Sequence, residues 1–273
     1  MVCLSSKLSE KGDTINSQNT QTEFRYVDGR RFHNLKSAVY SLPNDDDESD
    51  RLHMQHFLIR YIWQNNFSAP IEHILNDPNT KILDVGYPLI NVFGLDISPN
   101  QAVTIKPKNF TFIKANVLEG IPFEDDTFDY VFQRYLLGGY TKEKWPDAIN
   151  EIVRVLKPGG FLEIMEPSML HNVGPATNRL CETGQLENIR EEIRECRHGT
   201  NSSDADLKFS KAAIDNLIDL YSCWKPFLSK LMQISSEEYD ELIKISEKEL
   251  FEYDTYFYQV RVYANKIVNS NNE

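Results

Sequence analysis

The chain has 273 residues, 41% of them apolar, enough to bury a substantial core in one domain with an appended lobe. Asp and Glu outnumber Lys and Arg by 41 to 29, for a formal net charge of −12, which argues against a general nucleic-acid or anionic-membrane binder because phosphate attraction needs clustered Lys and Arg. No apolar run approaches the ~18 residues of a membrane span, no signal-peptide core opens the chain, and Cys3, Cys181, Cys196 and Cys223 lack the spacing of a disulfide or zinc framework. A soluble intracellular protein is expected, cytoplasmic or, as the alternative, nuclear.

Residues 1–22, rich in Ser, Asn, Gln and Thr, are expected to be a disordered tail. Residues 23–79 are read as an N-terminal arm followed by helices. Charges and aromatics alternate from Glu23 to His33, a pattern of a docked arm. The acidic run Asn44-Asp-Asp-Asp-Glu-Ser-Asp50 reads as a solvated loop capping the next helix. That helix is predicted over Asp50 to Gln64, from the spacing of His53, Met54, Phe57, Leu58, Tyr61 and Ile62. His53 and His56 have no third metal-ligating partner nearby, so packing or surface roles are expected. One more helical turn, Ile71 to Leu75, ends at Asn76-Asp-Pro-Asn79.

The stretch Lys81 to Ser98 organises the rest. Lys81–Val85 and Ile90–Leu95 are short apolar runs of the kind that form strands covered on both faces of a parallel sheet. Asp84 and Gly86 close the first run and Asp96 the second, where open α/β folds bind ligands. Parallel neighbours normally need a crossover of about a dozen residues. Only Tyr87, Pro88 and Leu89 link these runs. A return along a typical strand covers roughly 17 Å, whereas three residues reach about 14 Å at most. The expectation is therefore that these two runs are not adjacent parallel strands.

Further on, Phe110 to Val117 reads as a strand ending at Asn116, and Gly120 to Thr127 as a turn-rich loop. Phe128 to Phe132 is another buried strand, followed by Gln133, Arg134 and Tyr135. Trp145, Ala148, Ile149, Ile152, Val153 and Leu156 then lie on one stripe of an amphipathic helix over residues 142–156. Lys157-Pro-Gly-Gly160 stops it, with Pro158 and Gly159 suiting a type II turn. Phe161 to Met165 is a strand ending at Glu166-Pro167. Leu186 to Arg197 fits either a helix or a strand. Asp204 to Leu231 reads as helix with a break or kink at Pro226, and Ser235 with Glu238 forms a capping box that opens a helix through Leu250. Thr255 to Ala264 is a late strand, and residues 268–273 are a polar tail.

In this order the segments resemble the class I S-adenosylmethionine-dependent methyltransferases, and within them fungal methyltransferase-domain proteins, over about residues 24–267. Leu83-Asp-Val-Gly86 is similar to the family's first nucleoside-binding strand and Gly94-Leu-Asp-Ile-Ser98 to the second, with its ribose-binding acid. Ala115-Asn-Val117, Ile121-Pro-Phe123 and Thr127-Phe-Asp-Tyr-Val131 resemble the adenine loop and fourth strand. Glu151-Ile-Val-Arg-Val-Leu-Lys-Pro-Gly-Gly160 matches the turn into the fifth strand. The resemblance implies an α/β, Rossmann-like, mostly parallel sheet with flanking helices over residues 80–267. It would be incomplete around its first βαβ unit and carry a helical cap within about 170–252. Two departures stand out. The family's glycine-rich loop and first helix have no counterpart after Gly86, and the stretch between Glu166 and Leu186 is shorter than in relatives.

S-adenosyl-L-methionine is the implied cofactor. Asp96 can accept both ribose hydroxyls. Asn116 can read an adenine edge, with Ile97 and Val117 as apolar faces for the purine. Asp84, Gly86 and the backbone near Gln133 would flank the cofactor's amino-acid end. The implied reaction is methyl transfer to an unidentified acceptor. Tyr135 and His171 follow strands four and five but fit structural roles better, and no catalytic base is assigned. The alternative is an inactive methyltransferase-like protein acting through protein contacts. A nicotinamide-dependent oxidoreductase is set aside because no Gly-x-Gly-x-x-Gly turn occurs.

Overall fold

The computed structural model describes residues 24–34, 42–85, 92–97, 109–168, 185–198, 204–253 and 255–268. Gly86, His171 and the expected N-terminal tail lie outside the described residues.

The predicted arm is a β-hairpin. Strands β1 (Phe24–Val27) and β2 (Arg30–His33) pair antiparallel, closing at Val27 against Arg30. Asp28 (φ 49°) and Gly29 (φ 77°) turn it, both at the positive φ that a type I′ turn demands. Arg30 grips Asp45 through Nε and Nη2 at 2.6 and 2.7 Å, and these bonds hold the Asp45 carboxyl down to about 2. Asp45 is also the N-cap of helix α1 (Asp46–Trp63), accepting from Glu48 N at 3.1 Å. The helix thus begins at Asp46, not Asp50, and the acidic run is only partly solvated. Glu48 is buried, bidentate to buried Arg51 at 2.7 and 2.8 Å, and it also accepts from Cys223 Sγ at 3.3 Å. Cys223 belongs to a long helix introduced below, so this pair ties two helices together.

Seven strands form the main sheet: β3 (Ile82–Val85), β4 (Val92–Asp96), β5 (Phe110–Lys114), β6 (Phe128–Arg134), β7 (Leu156–Ser168), β8 (Leu186–Arg197) and β9 (Tyr256–Lys266). Their order is β5-β4-β3-β6-β7-β9-β8. The first five run parallel, and β9 is antiparallel to both β7 and β8. Pairing with β9 resolves Leu186–Arg197 as a strand. Helix α2 (Trp145–Val155) precedes β7. Strand β7 begins at Leu156, so Lys157–Gly160, expected as a turn, lies within it, with Gly159 at φ 77° next to a register shift against β6. Helices α3 (Asp204–Met232) and α4 (Ser236–Glu252) follow β8, the latter opened by the predicted capping box. Pro226 lies inside α3 and does not end it. Contacts across to α4 keep the helix running past it, among them Tyr239 Oη to Tyr221 O at 2.9 Å and Lys225 Nζ to Asp240 Oδ1 at 2.5 Å.

The expectation about the two central runs is overturned, because β3 and β4 are adjacent and parallel, with Ile82 opposite Val92 and Asp84 opposite Gly94. Pairing starts at Val92 and not at Ile90, so six residues, 86 to 91, connect the strands. The return from Val85 to the level of Ile82 covers only three residue steps, about 10 Å, plus one strand spacing of about 4.8 Å. Seven Cα–Cα steps of about 3.8 Å exceed that distance. Six connecting residues are fewer than the dozen or so of a usual crossover.

Apolar side chains alternate to both faces of the sheet. Leu83, Leu95, Val131, Leu162, Ile164 and Val262 pack under α2 through Ala148, Ile149, Ile152 and Val153. On the opposite face Ile82, Val92 and Tyr130 meet Ala69 and Ile71, while Ile59 and Trp63 of α1 cover Met165. There Glu163, fully buried, accepts from Ser68 N (2.9 Å), Ala69 N (2.8 Å) and Tyr130 Oη (3.1 Å). Burial raises its pKa, opposed by the buried Arg261 guanidinium, whose Nε stands 3.6 Å away and which lies 4.2 Å from the Trp63 ring centroid. No helix among the described residues is long and apolar enough to cross a membrane.

Removing one partner of this buried pair strands the other charge. Arg261→Met is expected to lower the unfolding free energy by about 3–5 kcal/mol, and adding Glu163→Gln should recover part of it. Urea denaturation checks both variants; losses that simply add would mean the pair is uncoupled.

Candidate functional site

The parallel strands β3, β4, β6 and β7 end on one edge of the sheet, and polar side chains gather there. Asp84 is buried, level with Gly94 on β4 and Phe132 on β6. Its charge contributes, after burial and Glu163, to the raised pKa of the Tyr130 hydroxyl. Asp96 is the last residue of β4, half-buried, and its carbonyl accepts from Ala115 N at 3.1 Å. Ile97 follows it, also half-buried.

Asn116 and Val117 are placed differently from one another. Asn116 caps a 3₁₀ turn, Val117–Glu119, its Oδ1 accepting from Leu118 N and its Nδ2 donating to Glu119 Oε1, both at 3.1 Å. Val117 is buried in the core below α2, so its side chain is committed to packing.

Gln133 is fully buried and level with Val85, the last residue of β3. Its Oε1 accepts from Tyr140 Oη at 3.4 Å. Its Nε2 is buried, and the amide faces the Glu166 carboxyl. Glu166 at the end of β7 accepts from Leu136 N and Leu137 N, both at 2.9 Å, which fastens the connection after β6 to the sheet. Burial pushes the Glu166 carboxyl up to about 8, with the two backbone bonds and the Gln133 amide opposing. Tyr140 links the two sides: burial raises its hydroxyl pKa first, then the charges of Glu166 and Asp96.

Tyr135 supports structure. It sits at φ 55°, donates its N–H to Met165 O at 2.9 Å and packs with Ile59, Trp63 and Met165. His56 is pushed down to about 4, by burial and then Arg134, whose Nη1 lies 3.3 Å from its Nδ1. Among the described residues no three His, Cys, Asp or Glu side chains are grouped to hold a metal ion. The sequence reading gave no site role to Glu166 or Tyr140. An acid directly after a buried strand was a usable signal for Glu166, whereas Tyr140 carries none.

A short first strand ending in an acid, a parallel second strand ending in another, and an antiparallel β9 inserted beside the fifth parallel strand form one topology. Residues 78–164 match the family model described as "Methyltransferase domain". Over that third of the chain it is similar to the methyltransferase domain of S-adenosylmethionine-dependent enzymes. The cofactor of that family is S-adenosyl-L-methionine. The N-methyltransferase sirN of Leptosphaeria maculans is 33% identical over 152 residues, covering 50% of this chain and 52% of that protein. The methyltransferase pytC of Aspergillus terreus is 33% identical over 159 residues, covering 52% of this chain and 46% of that protein. The chain thus spans about half the length of the curated relatives it matches. Among solved structures, the phosphoethanolamine N-methyltransferase 2 of Haemonchus contortus is 19% identical, with a TM-score of 0.44, covering 80% of this chain and 58% of that chain.

The elevated Glu166 carboxyl has a consequence for this methyltransferase domain. Because its folded pKa of about 8 lies above the ordinary 4.5, its contribution to stability is full below that ordinary value and is lost as pH rises through about 8. Thermal unfolding midpoints are therefore expected to fall between about pH 5 and about pH 9, and to fall less in Glu166→Gln. Identical slopes in the two proteins would show that this carboxyl is ionised throughout.

Proposed function

We propose that the chain binds S-adenosylmethionine and transfers its methyl group to a small or macromolecular acceptor whose identity the site does not specify. The observation that carries this reading is the pairing of β3 with β4, side by side and codirectional, which brings Asp84 and Asp96 to adjacent strand ends. When bound, the cofactor supplies a methyl group already activated by its sulfonium. The residues present fit its parts. Asp96 offers two carboxylate oxygens to a ribose diol, and Ile97 beside it offers an apolar face. Asp84, buried at the neighbouring strand end, suits an ammonium group. Gly86 would lie against the same end of the ligand.

Asn116 serves an adenine edge by exchanging its exposed bond to Glu119, while its Oδ1 keeps the turn in place. Val117 acts from below as packing that holds this turn against α2. Tyr140 and Glu166 exclude water by holding the 136–140 connection against the strand ends. The protein's part in the reaction is alignment: it holds an acceptor nucleophile in line with the activated methyl group, and no proton-transfer residue is required for that alignment. Four cysteines without framework spacing, Cys196 and Cys223 free among them, fit a reducing cytoplasm or nucleus.

The connection of only six residues between β3 and β4 favours a second reading, a methyltransferase-like protein without turnover. Isothermal titration separates the two. The full chain is expected to bind S-adenosylmethionine in the micromolar range, and Asp96→Ala to weaken binding by about 10-fold or more through loss of charge-assisted bonds to the ribose. Undetectable binding at millimolar ligand would leave only the second reading.

A further inference from the structure

Helices α3 and α4, joined by only three residues, 233–235, run antiparallel, and the two sides of the pair differ. Tyr239 Oη donates to Tyr221 O at 2.9 Å and Lys225 Nζ to Asp240 Oδ1 at 2.5 Å, which fixes the stripes that face each other. On α4 the inward stripe is Tyr239, Ile243, Ser246 and Leu250, one helix face by spacing and buried or half-buried throughout. At about 100° per residue, Leu242 and Ile245 lie roughly 60–120° round from Tyr239, on the flank opposite Asp240. On α3, Phe227 and Leu231 lie roughly 80–120° round from Tyr221, on the flank opposite Lys225. The Lys225–Asp240 bridge closes one side of the pair, so the four apolar residues share the other. Phe227, Leu231, Leu242 and Ile245 are 56%, 67%, 40% and 50% exposed. An exposed apolar strip of this kind marks an interaction surface.

The charges on this side have one sign. Glu238 and Glu249 lie on the same flank of α4 as Leu242 and Ile245. Lys244 and Lys248 lie round the outer face, ion-paired with Glu241 at 2.7 Å and Glu252 at 3.7 Å, and Lys230 lies on the side of α3 remote from α4. Arg30 reaches Cys223, one turn before Phe227, but its charge is held by Asp45 at 2.6 Å. A second copy of this strip would set like charges against each other, and an anionic lipid surface would be repelled. We propose that the strip docks a basic amphipathic helix of a partner protein. The partner's apolar residues, at i, i+3 or i+4 and i+7, lie on Phe227, Leu231, Leu242 and Ile245, and its Lys or Arg residues meet Glu238 and Glu249. None of these positions belongs to the group at the strand ends.

The test uses the full chain and two fluorescent model peptides of about 18 residues, long enough to be helical. Both carry Leu at helical spacing; one has Lys and the other Glu at the remaining positions. In fluorescence anisotropy at about 0.15 M salt, the Leu/Lys peptide is expected to bind in the micromolar range and the Leu/Glu peptide not to bind. Phe227→Ser combined with Ile245→Ser should weaken the Leu/Lys peptide by about 10-fold or more, and Glu249→Lys by about 3-fold. Phe57→Ser, at an exposed apolar position of α1, should leave it unchanged. If the double variant melts at a lower temperature than the parent, Glu249→Lys, a charge change on the exposed flank, decides alone. Equal binding of the two peptides, no binding of the Leu/Lys peptide, or undiminished binding in the variants would overturn the proposal. A dimer in sedimentation equilibrium that the double variant abolishes would also overturn it, in favour of a second copy.

Discussion

Two glutamates on β7 hold this domain together, three residues apart and therefore on opposite faces of the sheet. Glu163 receives the N–H groups of Ser68 and Ala69 from the connection between α1 and β3. Glu166 receives those of Leu136 and Leu137 from the connection after β6. Each therefore draws an otherwise irregular segment onto the sheet by satisfying backbone donors that burial would leave unpaired. Burial disfavours the charge of both. They differ in the cation beside them, since Arg261 attends Glu163 and no cation pairs with Glu166 among the described residues.

That difference separates support from function. On the Glu163 face, the buried ion pair and Trp63 lock α1 and its following segment in a single arrangement. The Glu166 face borders the strand ends, where Gln133 and Tyr140 form a short polar chain toward Asp96. A carboxyl that is neutral at ordinary pH is well placed there. It anchors the 136–140 connection while adding little negative charge near Asp84 and Asp96.

Much of this was legible in the chain before any coordinates. The stripe from Trp145 and the strand after it follow from periodicity, but the helix ends at Val155 and the strand begins at Leu156, running through Pro158 and Gly159 where a turn was expected. The hairpin at Asp28-Gly29 carried a readable signal, since Asp-Gly favours the two positive φ angles of its turn, yet the alternating charges around it masked the strands. Leu186–Arg197 was ambiguous because β8 is an edge strand: one side pairs with β9, and its many exposed charges leave Ile189, Ile193 and Cys196 at a spacing that also suits a helix. Of the break or kink expected at Pro226 no break occurs, since the helix continues past it beside contacts with a helix that no local rule anticipates.

The sequence by itself determined most strands and helices of the parallel sheet, which acids stand at the central strand ends, and the likeness of residues 78–164 to a methyltransferase domain, because those are properties of near neighbours along the chain. Only the tertiary structure decided that β3 and β4 lie side by side, since that depends on where pairing begins, at Val92, and not on where the apolar run begins. It also decided that the buried Gln133 amide lies between Tyr140 and Glu166, and that no cation pairs with Glu166 among the described residues. Burial and pairing at those positions arise from segments far apart in sequence, so no window of local pattern contains them.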